Sequence, residues 1–308
     1  MKTKLKFSEK IVYYFLNIWV RIIGLLPYTL LYIKSSACFY LLYYLIGYRK
    51  KVVRKNLVNS FPTKTESEII SIEKEFYRHL CDWFFETMKL ATLSKTEMKK
   101  RMVFKNLDLL FELQKKGKSG FVMMGHCCNW EYMISLPLWH EEHGDMLYGH
   151  VYRPLHNKGV DRFFYELRGK FSSENIADIE LFREAVRLKN NKKLYTIGIL
   201  GDQIPRVEAK YHWMEFLHQD TAVYTGAIKI AQKLGGYVLY ADLVKVKRGY
   251  YEVKLHLLTD DATTTNEFEL TEQYMKCLEQ TLNNNPSYYL WTHNRWKRNR
   301  RDFEAFRS

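Results

Sequence analysis

Five short apolar segments, separated by longer segments of helical pattern, constrain the fold of this chain most strongly. Each is a continuous apolar run or a rough alternation of strand length, which is typical of β-strands. Strands that alternate with helices predict an α/β fold. The five segments are Gly120–Met124, Met146–Tyr152, Leu194–Leu200, Tyr237–Val246 and Tyr250–Leu257.

Amphipathic segments lie between these runs. Thr65 and Glu68 form the pattern of a helix capping box, and apolar residues recur with helical spacing from Ile69 to Phe84. The last two apolar runs are joined around Lys247-Arg248-Gly249, which is typical of a hairpin, so the sheet should be mixed. Further helices are predicted at Asn106–Lys116, Gly159–Phe171, Ile179–Lys189, Ala222–Leu234 and Thr271–Leu282.

The first 60 residues carry apolar runs that single cations interrupt. Ile11–Val20, Ile22–Ile33 and Ser35–Tyr48 are uncharged and are separated by Arg21 and Lys34. No run reaches the roughly 18 residues that span a bilayer. Three arrangements stay open: one spanning helix over residues 28–48 with Lys34 snorkelling, two shorter amphipathic helices in the interface, or a helical hairpin buried in the core.

A cluster of cations follows these runs, and we expect it to bind lipid phosphates. Such a cluster is typical of a protein that docks on an anionic membrane. We therefore predict a membrane-associating helical segment over residues 1–60 and an α/β domain over residues 61–308. The cluster is made of Arg49, Lys50, Lys51, Arg54 and Lys55.

The charge balance narrows the class of partner. The chain of 308 residues has a formal net charge of +14, which favours a polyanionic partner such as anionic lipid or an acidic carrier protein. Zinc-finger spacing and aromatic RNA-binding runs are absent from the sequence, so nucleic acid is not expected. The five cysteines form no C-x-x-C pair, which favours a reduced, cytosolic compartment.

A histidine directly follows the first predicted strand, which ends at Gly125. In open α/β sheets ligands gather where strands end, so His126 is placed at the mouth of a site. A neutral imidazole can accept a proton from a hydroxyl group, and a carboxylate on its other nitrogen fixes the tautomer. Glu131 is the nearest candidate for that carboxylate. The pair requires His126 to lie in a loop, since residues five apart do not share a helix face, and Gly125 would permit the bend.

Three other segments can join this site. Arg153 follows a predicted strand and offers a guanidinium that binds phosphate with two hydrogen bonds. Asp202 and Gln203 follow another predicted strand, and Trp291–Arg298 is a basic aromatic strip near the C-terminus. The alternatives are a surface salt bridge for Arg153, a helix or turn cap for Asp202 and a solvated tail for the strip.

Two other chemistries can be weighed against a histidine base. Cys127 or Cys128 could act as a nucleophile beside His126, although adjacent side chains point in different directions. His140 and His143 lack the four-residue spacing of a helical zinc site, so no metal is predicted, and no other cofactor is predicted either.

Taken in order, these segments resemble the late acyltransferases of lipid A biosynthesis, the lauroyl and myristoyl transferase family. The resemblance extends from Leu26-Pro27 to Arg298. Its most specific motifs are Gly125-His126 with Asn129-Trp130-Glu131, Tyr152-Arg153-Pro154, Asp202-Gln203, Thr225-Gly226 and Trp291–Lys297.

The resemblance implies an enzyme of the bacterial inner membrane whose catalytic domain faces the cytosol. It implies a mixed sheet flanked by helices, similar to glycerol-phosphate acyltransferases, with an N-terminal hydrophobic helical anchor. The implied reaction moves a fatty acyl chain from acyl carrier protein, or from coenzyme A, to a hydroxyl group of a lipid A precursor. His126 and Glu131 would be the catalytic pair, and substrate would be bound by Asn129, Arg153, Asp202 and Gln203.

One segment departs from the family pattern and leaves the acceptor open. Phe216–Asp220 stands where a small, glycine-containing loop is expected. The same pattern occurs in enzymes that acylate aminolipids, glycolipids or aryl-polyene pigments, so the acceptor need not be a lipid A precursor. A noncatalytic, basic membrane-binding protein is the alternative from another functional class.

Overall fold

A seven-stranded mixed sheet forms the centre of the computed structural model, which describes residues 5–140 and 146–305. The strand order is β1-β9-β8-β2-β5-β3-β4, and a separate hairpin pairs β6 with β7. The strands are β1 (Met102–Phe104), β2 (Gly120–Met124), β3 (Met146–Tyr152), β4 (Glu174–Ala177), β5 (Leu194–Leu200), β6 (Tyr211–Phe216), β7 (Gln219–Tyr224), β8 (Tyr237–Lys247) and β9 (Tyr250–Thr259).

Helices cover both faces of this sheet. A π-helical turn, Leu41–Ile46, continues α2, and a 3₁₀ helix, Trp130–Trp139, follows the loop after β2. The α-helices are α1 (Phe7–Leu25), α2 (Tyr28–Tyr40), α3 (Lys50–Ser60), α4 (Glu66–Lys89), α5 (Lys95–Arg101), α6 (Leu107–Lys115), α7 (Lys158–Arg168), α8 (Leu181–Asn190), α9 (Gly226–Leu234), α10 (Glu267–Asn284) and α11 (Arg300–Glu304).

The central strand β2 is buried on both faces because alternate side chains enter two apolar cores. Phe121 and Met123 pack in one core, whereas Val122 and Met124 pack in the other. β2 runs parallel to both neighbours, β5 and β8, while β8 and β9 are antiparallel. A strand buried in this way reads as a continuous apolar run rather than as an alternation.

The predicted α/β fold, with its mixed sheet and flanking helices, is confirmed. The five predicted strands are present, the capping box of Thr65 and Glu68 begins α4, and Gly249 turns the β8–β9 hairpin at a φ of 76°. The helix predicted from Ala222 begins only at Gly226, because residues 222–224 belong to β7. The sequence prediction missed β1 and β4, which are short, and β6 and β7, which form the separate hairpin.

That small hairpin accounts for the segment Phe216–Asp220. The turn between β6 and β7 places Leu217 and His218 at φ values of 52° and 59°. Two positive φ values in a two-residue turn match the twist of the strands, although glycine or asparagine is usual there. The expected small loop is therefore replaced by an ordered hairpin turn.

The N-terminal helices α1 and α2 pack against helices of the α/β domain. α1 contacts α4 and α7, and α2 contacts α4 along its length. Three hydroxyl groups in α2 and its continuation donate to buried carboxylates of α4, with distances of 3.0 Å for Tyr32–Glu86, 2.6 Å for Ser35–Asp82 and 2.8 Å for Tyr43–Glu73. Buried carboxylates need such partners, so these bonds hold α2 against α4.

The outward faces of these two helices are apolar and exposed. Phe7, Leu25 and Leu45 are 81%, 75% and 80% exposed. The alternative of a hairpin buried in the core is therefore wrong. Among the described residues, one helical stretch is long and apolar enough to cross a membrane, Tyr28–Ile46, with a mean hydropathy of 1.3 and 22% of it buried.

Candidate active site

Two loops meet at the carboxyl edge of the sheet, one after β2 and one after β5. The strands are parallel neighbours with Met124 opposite Leu200, and the N–H of Gly201 donates to the carbonyl oxygen of Met124 over 3.3 Å. The residues that follow the two strands, His126 and Asp202, therefore lie side by side although 76 positions separate them.

Asp202 holds the His126 side chain by two hydrogen bonds. Nδ1–H of His126 donates to Oδ1 over 2.7 Å, and the backbone N–H of His126 donates to Oδ2 over 3.1 Å. Burial would raise the pKa of Asp202, but the charge of His126 and these hydrogen bonds outweigh it, so its pKa lies below the usual value. A carboxylate that accepts from Nδ1–H favours the tautomer of a neutral imidazole in which Nε2 can accept a proton.

The other ring nitrogen of His126, Nε2, lies at a cavity. Only the amide of Gln203 approaches it within the described residues, with 3.2 Å between the Nε2 atoms of the two side chains. The edge of the imidazole packs on Trp130, whose ring stacks on Trp83. This arrangement presents a proton acceptor at the mouth of a cavity.

Glu131, the expected partner of His126, binds Arg168 instead. The Nε–H of Arg168 donates to Glu131 over 2.8 Å, and Nη2 donates to the other carboxylate oxygen. Burial raises the pKa of Glu131, but the Arg168 guanidinium lowers it by more. The pKa of Glu131 therefore lies below its usual value. The structure thus corrects the expected contact: Asp202, not Glu131, occupies Nδ1 of His126, while Glu131 lines the same cavity.

The cavity has a volume of about 730 Å³ and lies between the sheet and the 3₁₀ helix Trp130–Trp139. Its walls are mostly apolar. Gly198 on β5 lines it, and a Cβ there would lie 3.0 Å from the Met124 side chain. Other apolar side chains of the wall are Val122, Met133, Ile134, Leu136, Phe164 and Ile199. The imidazole thus lies beside a mostly apolar cavity.

Comparison with protein families identifies the chain. The model of bacterial lipid A biosynthesis acyltransferases matches residues 1–298. The chain belongs to this family. No curated protein matches the chain. The protein is therefore an acyltransferase.

In this acyltransferase, hydrogen bonds to Tyr288 and His79 hold the loop between β2 and the 3₁₀ helix in place. The Cys128 N–H donates to the Tyr288 carbonyl oxygen over 2.7 Å, and His79 Nε2 donates to the Cys128 carbonyl oxygen over 3.1 Å. The positive φ in this loop belongs to Cys128, at 52°, rather than to Gly125. Gly125 is needed for another reason, since a Cβ there would lie 2.5 Å from Leu278 of α10.

Asn129 supports the loop and does not line the cavity. It is fully buried, and its Nδ2 donates to Glu86 over 2.9 Å. The hydroxyl groups of Tyr32 and Tyr251 donate to the same carboxylate. The contacts of Asn129 therefore do not favour the expected substrate-binding role and connect the His126 loop to α4.

Arg153 lies at the open end of the cavity. Its side chain is 63% exposed, and its Nε lies 3.2 Å from Asp178. Arg206 also approaches Asp178, at 3.4 Å. Two guanidinium groups thus share one carboxylate at the mouth, and both line the cavity.

The C-terminal strip is part of the interior rather than a solvated tail. Trp291 and Arg295 are almost completely buried. The N–H of Leu290 donates to the His126 carbonyl oxygen over 3.1 Å, and the N–H of Ile204 donates to His293 over 3.3 Å. The strip and the preceding Leu290 therefore support both loops that carry the candidate catalytic residues.

The two cysteines after His126 are poor nucleophiles. Both are buried, and burial raises the pKa of the Cys128 thiol to about 12 and that of Cys127 well above its usual value. The thiolate is the reactive form, so neither side chain is activated. Among the described residues no group of three potential ligands could hold a metal, and His143 lies outside them.

The cations of the predicted membrane cluster differ in their contacts. Arg54 donates two hydrogen bonds to the Glu73 carboxylate, and Arg49 donates to the Thr292 carbonyl oxygen over 2.9 Å. Lys50 lies over the Tyr43 ring. Lys51 and Lys55 are exposed.

Sequence reasoning missed Arg168, Glu86 and His79. Arg168 lies in the predicted helix Gly159–Phe171 and carries no motif, and the other two occupy ordinary positions of α4. A usable signal existed for Asp202, since it follows a strand end as His126 does. The sequence did not show that β2 and β5 are neighbouring strands, which is what brings Asp202 to His126.

Proposed function

We propose that this acyltransferase moves a fatty acyl chain from a thioester to a hydroxyl group of a membrane lipid, with His126 as general base. The observation that carries the proposal is the position of His126 Nε2 at the mouth of an apolar cavity, with Asp202 bound to Nδ1. A basic nitrogen beside an apolar cavity of this volume suits an alcohol that attacks a fatty acyl carbonyl group.

The reaction balances without a covalent enzyme intermediate. The acceptor hydroxyl displaces the amide of Gln203 from His126 Nε2 and gives its proton to that nitrogen as its oxygen attacks the thioester carbon. Collapse of the tetrahedral intermediate forms the ester, and the leaving thiolate takes the proton. The Asp202 carboxylate stabilises the imidazolium that exists between these steps.

Glu131 serves this mechanism through Arg168. Glu131 engages Nε and Nη2 of the guanidinium, and Arg168 lines the cavity beside His126. We propose that the Nη1 hydrogens of Arg168 donate to the thioester carbonyl oxygen and stabilise the negative charge that develops on it. A guanidinium that is already oriented before the reaction needs little reorganisation.

Two guanidinium groups at the mouth suit the donor. Arg153 and Arg206 share Asp178 and are both exposed, so they remain accessible to a phosphate. Acyl carrier protein and coenzyme A both present a pantetheine phosphate, and the net charge of +14 favours the acidic carrier protein. A guanidinium can bind phosphate with two parallel hydrogen bonds.

The proposed membrane contact is the apolar face of α1 and α2. This face is exposed, and the exposed Lys51 and Lys55 follow it in the sequence on α3. The buried hydrogen bonds from α2 to α4 favour a helix pair that lies in the interface over one that crosses the bilayer. Retained α2–α4 crosslinking in vesicles supports this arrangement, and its loss on membrane binding would contradict it.

Lipid mass profiles of cells with and without the gene test the proposed reaction. We expect one lipid to lose the mass of a single ester-linked acyl chain when the gene is removed, and a lipid A precursor is the first candidate. Aminolipids, glycolipids and polyene pigments are the alternative acceptors. Purified protein given acyl carrier protein thioester or acyl coenzyme A then identifies the donor. Vesicle binding without turnover of either donor would favour the noncatalytic alternative.

The length of the transferred chain should depend on Gly198. Gly198→Leu would project a side chain into the cavity from β5, where an added Cβ already lies 3.0 Å from Met124. We expect a shorter preferred acyl chain and a kcat/KM for the natural one that is lower by about 5- to 150-fold, since overpacking costs about 1–3 kcal/mol. Competition between thioesters of different length measures this. Gly169→Leu, outside the cavity wall, is the control, and an unchanged chain preference in Gly198→Leu would exclude the cavity as the acyl site.

A further inference from the structure

A second cavity lies apart from the one at His126. It has a volume of about 370 Å³ and is enclosed by α2, α4 and the end of the β8–β9 hairpin. None of the residues that line it lines the larger cavity. Its charged and hydroxyl-bearing walls include Ser36, Arg78, Lys245, Lys247 and Arg248. We call this space the hairpin groove.

The hairpin groove carries more positive than negative charge. Four cations face two carboxylates, Glu75 and Asp82. Arg248 is bound to Asp82, with a shortest distance of 2.6 Å, and Arg78 lies 3.5 Å from Glu75. In the described parts of the chain, Lys245 and Lys247 have no carboxylate partner. The groove thus has a local excess of two positive charges.

These two ammonium groups are positioned by aromatic rings rather than by acids. Lys245 Nζ lies 4.7 Å from the centroid of the Tyr288 ring, and Lys247 Nζ lies 4.4 Å from that of Tyr250. A cation over a ring face is attracted to it and keeps its donor hydrogens available. The lysines are therefore oriented but not neutralised.

The hairpin that carries them is held against α2. Gly249 has a φ of 76°, and a Cβ at this position would lie 1.9 Å from the Tyr32 hydroxyl group. Arg248 Nη2 donates to the Ser36 hydroxyl group over 3.2 Å. Close packing at the tip makes the groove a built feature of the fold, since only glycine can approach α2 so closely.

We propose that the hairpin groove binds the phosphate of a membrane lipid headgroup. Lysine ammonium groups and the Arg78 guanidinium are typical phosphate ligands, and the excess of two charges matches a phosphate. The groove opens beside the exposed face of α2, where Ile33 and Tyr40 are each 61% exposed. A lipid whose acyl chains lie along that apolar face and whose phosphate enters the groove would contact both surfaces.

The inference rests on the membrane contact in the proposed function, but not on the chemistry at His126. A headgroup in this groove would hold the acyltransferase on lipids that carry phosphate and would select them over other anionic lipids. Uniform attraction of a basic protein to any anionic surface would show no such selection.

A double substitution, Lys245→Ala with Lys247→Ala, tests the groove in the full-length protein. The control is Lys115→Ala with Lys116→Ala, which removes the same charge at the end of α6, before the amino end of β2. Binding is measured by flotation with phosphatidylcholine vesicles that contain phosphatidic acid, or oleate at a matched surface potential. Lys115, Lys116 and Lys247 are exposed and Lys245 is half-buried, and none of the four has a carboxylate partner among the described residues. Thermal unfolding checks that the variants fold.

We expect the groove variant to bind phosphatidic acid vesicles about thirtyfold more weakly than the control, since two cations are removed and each contributes about 1 kcal/mol at an anionic surface. The loss on oleate vesicles should be clearly smaller. Equal losses on both vesicles, or in both variants, would overturn the proposal.

The source of the phosphate is tested by acetylation of Lys245 and Lys247 followed by mass spectrometry. Phosphatidic acid vesicles should protect both lysines, whereas inorganic phosphate should not. Equal protection by inorganic phosphate would replace the lipid headgroup with free phosphate. Failure of the unsubstituted chain to bind either vesicle would instead overturn the proposed membrane contact, and catalytic failure would show only in turnover.

Discussion

His126→Ala is expected to lower kcat by about 10²–10⁴-fold, which is the usual contribution of a general base. The side chain is mostly buried at the cavity mouth, and its Nε2 would take the acceptor proton, which an alanine side chain cannot do. The measurement is the turnover of an acyl thioester with dispersed lipid acceptor, together with the thermal unfolding of the variant. We expect the fold to be retained.

Asp202→Asn provides the matched test of the pairing. Asparagine keeps the shape but can neither stabilise the imidazolium nor enforce the tautomer, so its loss should approach that of His126→Ala. The variant His126→Ala/Asp202→Asn should be little worse than either single variant, because both residues serve one proton transfer. Losses that simply multiply would show that Asp202 does not act through His126.

Glu131→Ala is expected to lower both stability and activity. It leaves the guanidinium of Arg168 without its carboxylate, and removing one partner of a buried pair costs about 3–5 kcal/mol. Since 24% of the Arg168 side chain remains exposed, we expect a value near the lower end, about 3 kcal/mol. Urea unfolding measures the free energy of unfolding, and turnover should fall at least tenfold because Arg168 is no longer oriented.

A double variant separates the two effects. Glu131→Ala/Arg168→Met removes the uncompensated charge and should recover much of the stability lost in Glu131→Ala, while turnover stays low. Arg168→Lys should also turn over slowly, since an ammonium cannot reproduce the guanidinium geometry. If the double variant regains turnover, Arg168 has no role in the reaction. If it fails to regain stability, Glu131 acts through a partner other than Arg168.

The sequence determined much of the fold because local physical constraints acted alone there. The five apolar runs became strands since buried strands need continuous apolar side chains, and the capping box of Thr65 and Glu68 begins α4 as predicted. The hairpin at Gly249 followed from its turn residues. The N-terminal apolar runs were visible, but not the face of each helix that packs inward, because that depends on hydroxyl groups that meet the carboxylates of α4.

For the candidate site, the sequence determined which residue types follow each strand but not which strands are neighbours. His126, Asp202 and Gln203 could be selected because each follows a strand end, whereas Glu131 was assigned to His126 through its nearness in the chain. Strand order is decided by packing of the whole sheet, and it placed β5 beside β2. Asp202 thereby reached Nδ1 of His126, and α7 brought Arg168 to Glu131. Only the tertiary structure could decide these pairings, because a hydrogen bond depends on distance in space rather than on separation in sequence.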